Sequence, residues 1–204
     1  MSSVEERFAL LVKDVFVAML KPRGYAKTGL RWMRRTPTAR HVIGIQRSGG
    51  NIGEHLGFYV NVGAYVDQFA TIIGQQPIDK PKEYQCQYSR RLENVVDFPH
   101  PRIDMEDWTD EALFPVLTQA LIATDKVLAD IDSPEALVGL LSDPVMCGGL
   151  DFDLFAYRCA TGDLDGIRAQ YAASLSRFGA EARWPRISAH FEGITKQYGV
   201  SLPQ

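Results

Sequence analysis

The chain has few cysteines, no paired metal-ligand spacing and no apolar run approaching the roughly 20 residues that span a bilayer. Cys86, Cys147 and Cys159 are the three cysteines in 204 residues. They are odd in number and widely spaced, with no CxxC pair, so they read as reduced packing residues and not as a disulfide framework. His41, His55, His100 and His190 have no near-neighbour histidine, and no HExxH or Cys/His spacing exists, which argues against a metal site. There is no GxSxG elbow and no lysine-bearing P-loop, which removes two common catalytic signatures. Asp151 with Asp153 and Asp163 with Asp165 form DxD pairs but lack the other ligands of a calcium loop. Each pair stands where a helix should begin, so carboxylates interacting with the helix dipole are the better account. No cofactor, metal or membrane is expected. Glu5, Glu6 and Asp14 interrupt the N-terminal apolar pattern, which is unlike a signal peptide, and a cytoplasmic setting is the expectation.

What is present is ordinary globular composition, 46% hydrophobic and 23% charged residues. The length suits one domain, and no linker-like stretch divides it, so residues 1–204 read as a single α+β domain. The net charge of −3 conceals an asymmetry. Residues 1–50 hold ten Lys/Arg against three Asp/Glu, while 51–204 hold twelve against twenty-two. Such a split fits either a polyanion-binding face or two halves that attract each other.

Helical spacing opens the chain: Val4, Phe8, Leu11, Val12, Val15, Phe16 and Met19 recur at three and four. Ser3 with Glu6 makes a capping box, and Pro22 and Gly24 end the helix. The period then becomes two. Strands are expected at 30–35, 40–48, 55–66 and 84–92, an antiparallel meander of about four, with Ser48-Gly49-Gly50-Asn51 as a hairpin connection. One helical turn is placed at 69–73, and Pro99 and Pro101 mark irregular chain. From Trp108 the signals are helical: Thr109 and Ser133 are N-caps, and further helices are expected at about 151–161, 163–178 and 185–198. The expected architecture is a helix and antiparallel sheet over 1–100, then a helical half over 101–204 packed on that sheet.

Two groups of residues invite a functional reading. Polar side chains at half-buried strand positions, Gln46, Ser48, Asn61, Arg90 and Arg91 with nearby Trp32, are candidates for a small anionic-ligand pocket or an enzyme site, or for a self-satisfied network. A basic run from Lys21 to Arg47, with Arg31, Arg34, Arg35 and Arg40 interleaved with Tyr25 and Trp32, has the residue types of a single-strand nucleic-acid surface. Strand arginines shown to solvent are the competing account, and nucleic acid is not the expected partner.

The segments Lys21-Pro22-Arg23-Gly24-Tyr25, Trp32-Met33-Arg34-Arg35, Ile43 to Ser48 and Phe58 to Gly63 together resemble the bacterial family known as domain of unknown function 4304. Cys86, Arg91-Leu92 and Trp108 are similar to later family features, and the likeness runs over roughly 8–130. Tyr25 stands where the family has phenylalanine, and Trp108 lacks a second adjacent tryptophan. The resemblance implies the α+β fold and draws attention to Gln46, Ser48, Asn61 and Arg91, but it implies no reaction. The leading functional expectation is therefore a non-catalytic interaction domain with a protein partner.

Overall fold

The structure, a computed structural model, describes residues 3–53, 55–143 and 150–201. Its contacts divide the chain into two units, residues 1–66 with 78–132, and residues 67–77 with 133–204. Cys147 lies outside the described residues.

The first unit begins with α1 (Val4–Leu11), a π-helical stretch over Val12–Val17, α2 (Ala18–Leu20) and a 3-10 turn at Lys21–Arg23. Ser3 caps it as a full capping box with Glu6. Gly24 stops it at φ +84°, a left-handed conformation that a side chain would disfavour. Five strands follow in spatial order: β1 (Ala26–Thr28), β2 (Arg31–Arg35), β3 (Ala39–Arg47), β4 (Gly57–Val66) and β5 (Tyr88–Arg91). A two-residue β6 (Ile103–Asp104) pairs with β4, and every pairing is antiparallel.

The period-two reading therefore holds for β2, β3 and β4 but misses β1 and β6, which are too short to show a period. The expected strand at 84–92 shrinks to Tyr88–Arg91, because Glu83–Gln85 forms a 3-10 turn. Gln87 marks the change: its side-chain amide accepts from the Val66 N–H at 2.9 Å and donates to the Val66 carbonyl at 3.4 Å. A side chain thus satisfies backbone groups that a longer strand would have paired.

Strand alternation sends Trp32, Ile43, Ile45, Phe58, Val60 and Val62 to one face, where all are buried. The N-terminal helix covers that face, with Phe16 stacked on Trp32 at 5.1 Å and Phe8 edge-on to Phe58 at 5.4 Å. α4 (Asp110–Ala129), capped by Thr109, packs against the N-terminal helix and β4. Arg7 ties the two helices, donating to Asp110 Oδ1 at 2.8 Å and to the Met105 and Trp108 carbonyls. By length and composition α4 alone, among the described helices, would suffice to cross a membrane, a point the apolar-run reading passed over. Its apolar stripe is core here: Leu113, Leu117, Leu121 and Leu128 are buried.

The second unit contains α3 (Asp67–Ile72), α5 (Pro134–Leu141), α6 (Phe152–Thr161), α7 (Leu164–Phe178) and α8 (Trp184–Tyr198). Asp151 and Asp163 stand at the helix starts, as the sequence reading has them, and their side chains also cap α6 and α7 by accepting from the N–H groups of Leu154 and Gly166. Phe155, Cys159, Ile167, Phe178, Ile187 and Phe191 form a core belonging to this unit. Of the α-helices after residue 101, α4 belongs to the unit that holds the sheet.

Candidate functional site

The outer face of the sheet is set by register. Arg31 pairs with Gly44, Gly44 with Asn61, and Asn61 with Arg91, so all four positions share one face, as does Tyr59 opposite Gln46. Asn61 donates from Nδ2 to Gln46 Oε1 at 3.3 Å. The Arg91 guanidinium lies 4.1 Å from the centre of the Tyr59 ring, close enough for a cation–π contact. Gln46 is exposed, and Tyr59, Asn61 and Arg91 are half-buried, so this part of the face is open.

The rest of the face is roofed by residues 82–87, and two glycines make room. A Cβ on Gly63 would lie 2.8 Å from Cys86 Sγ, and one on Gly44 would lie 3.2 Å from Glu83 Oε2. Glu83 in turn receives Arg31 Nε at 2.7 Å. Burial opposes ionisation of Glu83, but hydrogen bonds from Arg31 and from backbone outweigh it and hold the carboxyl below its usual range.

Of the six ligand candidates, Gln46, Asn61 and Arg91 are brought together on this face. Ser48 sits in the β3–β4 connection, where its hydroxyl accepts from the Gly50 N–H at 3.4 Å. Arg90 points to the opposite face, because adjacent strand residues alternate, and packs 5.3 Å from the Tyr88 ring centre. Trp32 is fully buried under Phe16 and belongs to the core.

The basic candidates have acidic partners within their own unit. Arg31 meets Glu83, Arg34 meets Asp125 at 2.8 Å, and Arg35 meets Asp79. Arg40 is buried and donates from Nε to the Asp79 carbonyl at 3.0 Å. Three acidic residues from beyond position 50 thus pair with Arg31, Arg34 and Arg35, the mutual attraction that the charge asymmetry allows.

Sequence reasoning missed a polar network on the inner face. Tyr25 donates its hydroxyl to Asp125 Oδ1 at 2.9 Å, and Arg23 lies 3.5 Å from Asp125 Oδ2. Arg34 also reaches His41 Nδ1, and His41 Nε2 lies 3.0 Å from the Ile131 carbonyl. A guanidinium has only donors, so Nδ1 accepts and Nε2 carries the proton: His41 is a neutral histidine of one defined tautomer. Desolvation, followed by the nearby Arg34 charge, holds its pKa below the ordinary 6.5 against the opposing Ile131 bond. Burial is also the main reason the Tyr25 hydroxyl titrates well above its usual value. No local signal marks this network, since Tyr25 and Asp125 are 100 positions apart.

Among the described residues, one grouping has ligand atoms close enough for a metal: His55, Asp104 and Glu106. His55 Nδ1 contacts Glu106, but Arg102 Nη2 stands 2.7 Å from His55 Nε2 and 2.8 Å from Asp104 Oδ1. A guanidinium already supplies the positive charge there, so the grouping is an ion-pair cluster.

Fold and face define an α+β protein whose antiparallel sheet is covered by helices on one side and partly open on the other. Residues 16–125, just over half the chain, match the family described as Domain of unknown function (DUF4304), and the chain belongs to that family. The match contains all six strands and the open-face residues. No curated protein and no solved structure matches the chain.

Proposed function

We propose that this chain is a non-catalytic binding domain, bacterial and cytoplasmic in setting, that docks an acidic stretch of a protein partner on the open sheet face. The observation that carries the reading is Arg91. Arg31, Arg34, Arg35 and Arg47 each have a carboxylate partner, whereas Arg91 makes no ion pair among the described residues and rests on Tyr59. A guanidinium held flat by an aromatic ring presents its N–H edge to an incoming carboxylate, with the Asn61 and Gln46 amides beside it. Arginine and tyrosine are also the residue types that anchor protein interfaces. The face is open, which suits an extended chain better than a small enclosed ligand. Buried free thiols at Cys86 and Cys159 support the reducing compartment.

A nucleic-acid surface draws less support, because Arg31, Arg34 and Arg35 are engaged by the chain's own carboxylates. The test is an amide-shift titration of the full chain with an oligoglutamate peptide, inorganic phosphate and a single-stranded oligonucleotide. The reading expects the peptide to move Gln46, Tyr59, Asn61 and Arg91, and Arg91→Ala to weaken binding about tenfold while the fold persists. Equal saturation by phosphate alone would replace it with a small-anion site. Oligonucleotide binding through residues 31–40 would replace it with the nucleic-acid reading.

A further inference from the structure

The second unit carries a separate cleft of about 280 Å³, between the chain following α3, the start of α6 and the end of α8. Its apolar wall includes Phe152, Ala156 and Ile194, and its polar groups are Gln75, Asp153, His190, Gln197 and Tyr198. Tyr198 closes one side by donating its hydroxyl to the Ile73 carbonyl at 2.9 Å. His190 lies on Phe152, with ring centres 4.1 Å apart, so the aromatic wall is continuous.

The cleft has an unbalanced charge. Among the described residues no lysine or arginine lines it, and Asp153 is its only acidic side chain. Asp153 accepts a neutral hydrogen bond from Gln75 Nε2 at 3.1 Å and makes no ion pair among the described residues. Burial raises its pKa, the Gln75 bond only partly offsetting this, which is the behaviour of a carboxylate without a counter-ion. An anion would find no lysine or arginine here among the described residues.

We propose that this cleft binds a small organic ammonium ion, with Asp153 as its counter-ion and Phe152 and Tyr198 flanking the alkyl or methylated head. The three features a cationic amine needs are together: one carboxylate, aromatic surface for a cation–π contact, and apolar wall for attached methylenes. The site is independent of the sheet face, so it stands or falls apart from the docking reading.

The test is an amide-shift and side-chain NMR titration of the full chain with n-butylammonium chloride, using sodium butyrate as the anionic counterpart of the same length. Butylammonium is expected to move the Gln75 and Gln197 side-chain amides and the Ala156 backbone, and butyrate is expected to leave them in place. Asp153→Asn should weaken the amine about tenfold or more, the worth of one partly buried charge pair. Ala156→Leu, which fills the wall without touching the charge, should abolish binding and serves if Asp153→Asn does not fold. Equal response to butyrate, undiminished binding by either folded variant, or no response to butylammonium at millimolar concentration would overturn the proposal.

Discussion

Arg34 donates to His41 Nδ1 across 3.0 Å and thereby fixes which ring nitrogen of a buried histidine carries the proton. Arg34 is also bound to Asp125 at 2.8 Å, so one guanidinium connects β2 and β3 to the C-terminal part of α4.

The first prediction concerns pH. The folded pKa of His41 lies below the unfolded value of 6.5, so the unfolded chain takes up the proton first as pH falls. Stability from the neutral histidine is therefore complete above about pH 6.5 and is lost as pH drops toward the folded pKa. The carboxylates Asp125 and Asp132 face the same ring and favour its charged form, but desolvation outweighs them. Urea midpoints measured from about pH 7.5 to 5 should fall with acidification, and His41→Gln should flatten that slope.

Removing the carboxylate at the centre of the network should cost more than removing its hydroxyl donor. Asp125→Asn strips Arg34 and Arg23 of their partner, and the loss should be about 2–4 kcal/mol, below the fully buried range because solvent reaches the cluster. Tyr25→Phe keeps the buried ring and loses one hydrogen bond, about 1 kcal/mol. The double variant should fall short of the sum, since both changes act on one carboxylate. Denaturant unfolding of the four proteins measures the coupling; strict additivity would mean the groups act separately.

Gly63 should not accept alanine. The new methyl would meet Cys86 Sγ at 2.8 Å and the Glu83 backbone at 3.3 Å, forcing the 82–87 segment off the sheet. About 1–3 kcal/mol of destabilisation is expected. Pairing Gly63→Ala with Cys86→Ala should return part of it, which thermal unfolding would register.

Cys86 and Cys159 should be chemically quiet in the folded protein. Burial pushes the Cys86 thiol up to about 12 and the Cys159 thiol up to about 11. Little thiolate exists near neutral pH, and iodoacetamide should label both sites slowly until the chain unfolds. Site-resolved mass spectrometry in native buffer and in urea distinguishes this from free access.

Legibility followed range. The capping box at Ser3 and Glu6, the stop at Gly24, the alternation of β2 to β4 and the caps of α4 and α5 depend on residues a few positions apart, and each was readable. That Gln46 and Asn61 share a face follows from the same alternation in a meander, and the structure joins them by a hydrogen bond. Grouping Arg90 with Arg91 failed on that very principle, since neighbours in a strand face opposite ways. β1 and β6 escaped because two or three residues carry no period, and the 84–92 strand was overextended because Gln87 substitutes a side chain for backbone pairing.

The sequence by itself determined the order of the main helices and of strands β2 to β4, and that the sheet has one apolar face, because capping, turn chemistry and hydrophobic period are local. Only the tertiary structure decided which charges are spent and which remain available. Whether an arginine meets Glu83 or Asp125, or stands on Tyr59 like Arg91, depends on chain segments up to about a hundred residues away, and nothing in local spacing encodes those distances.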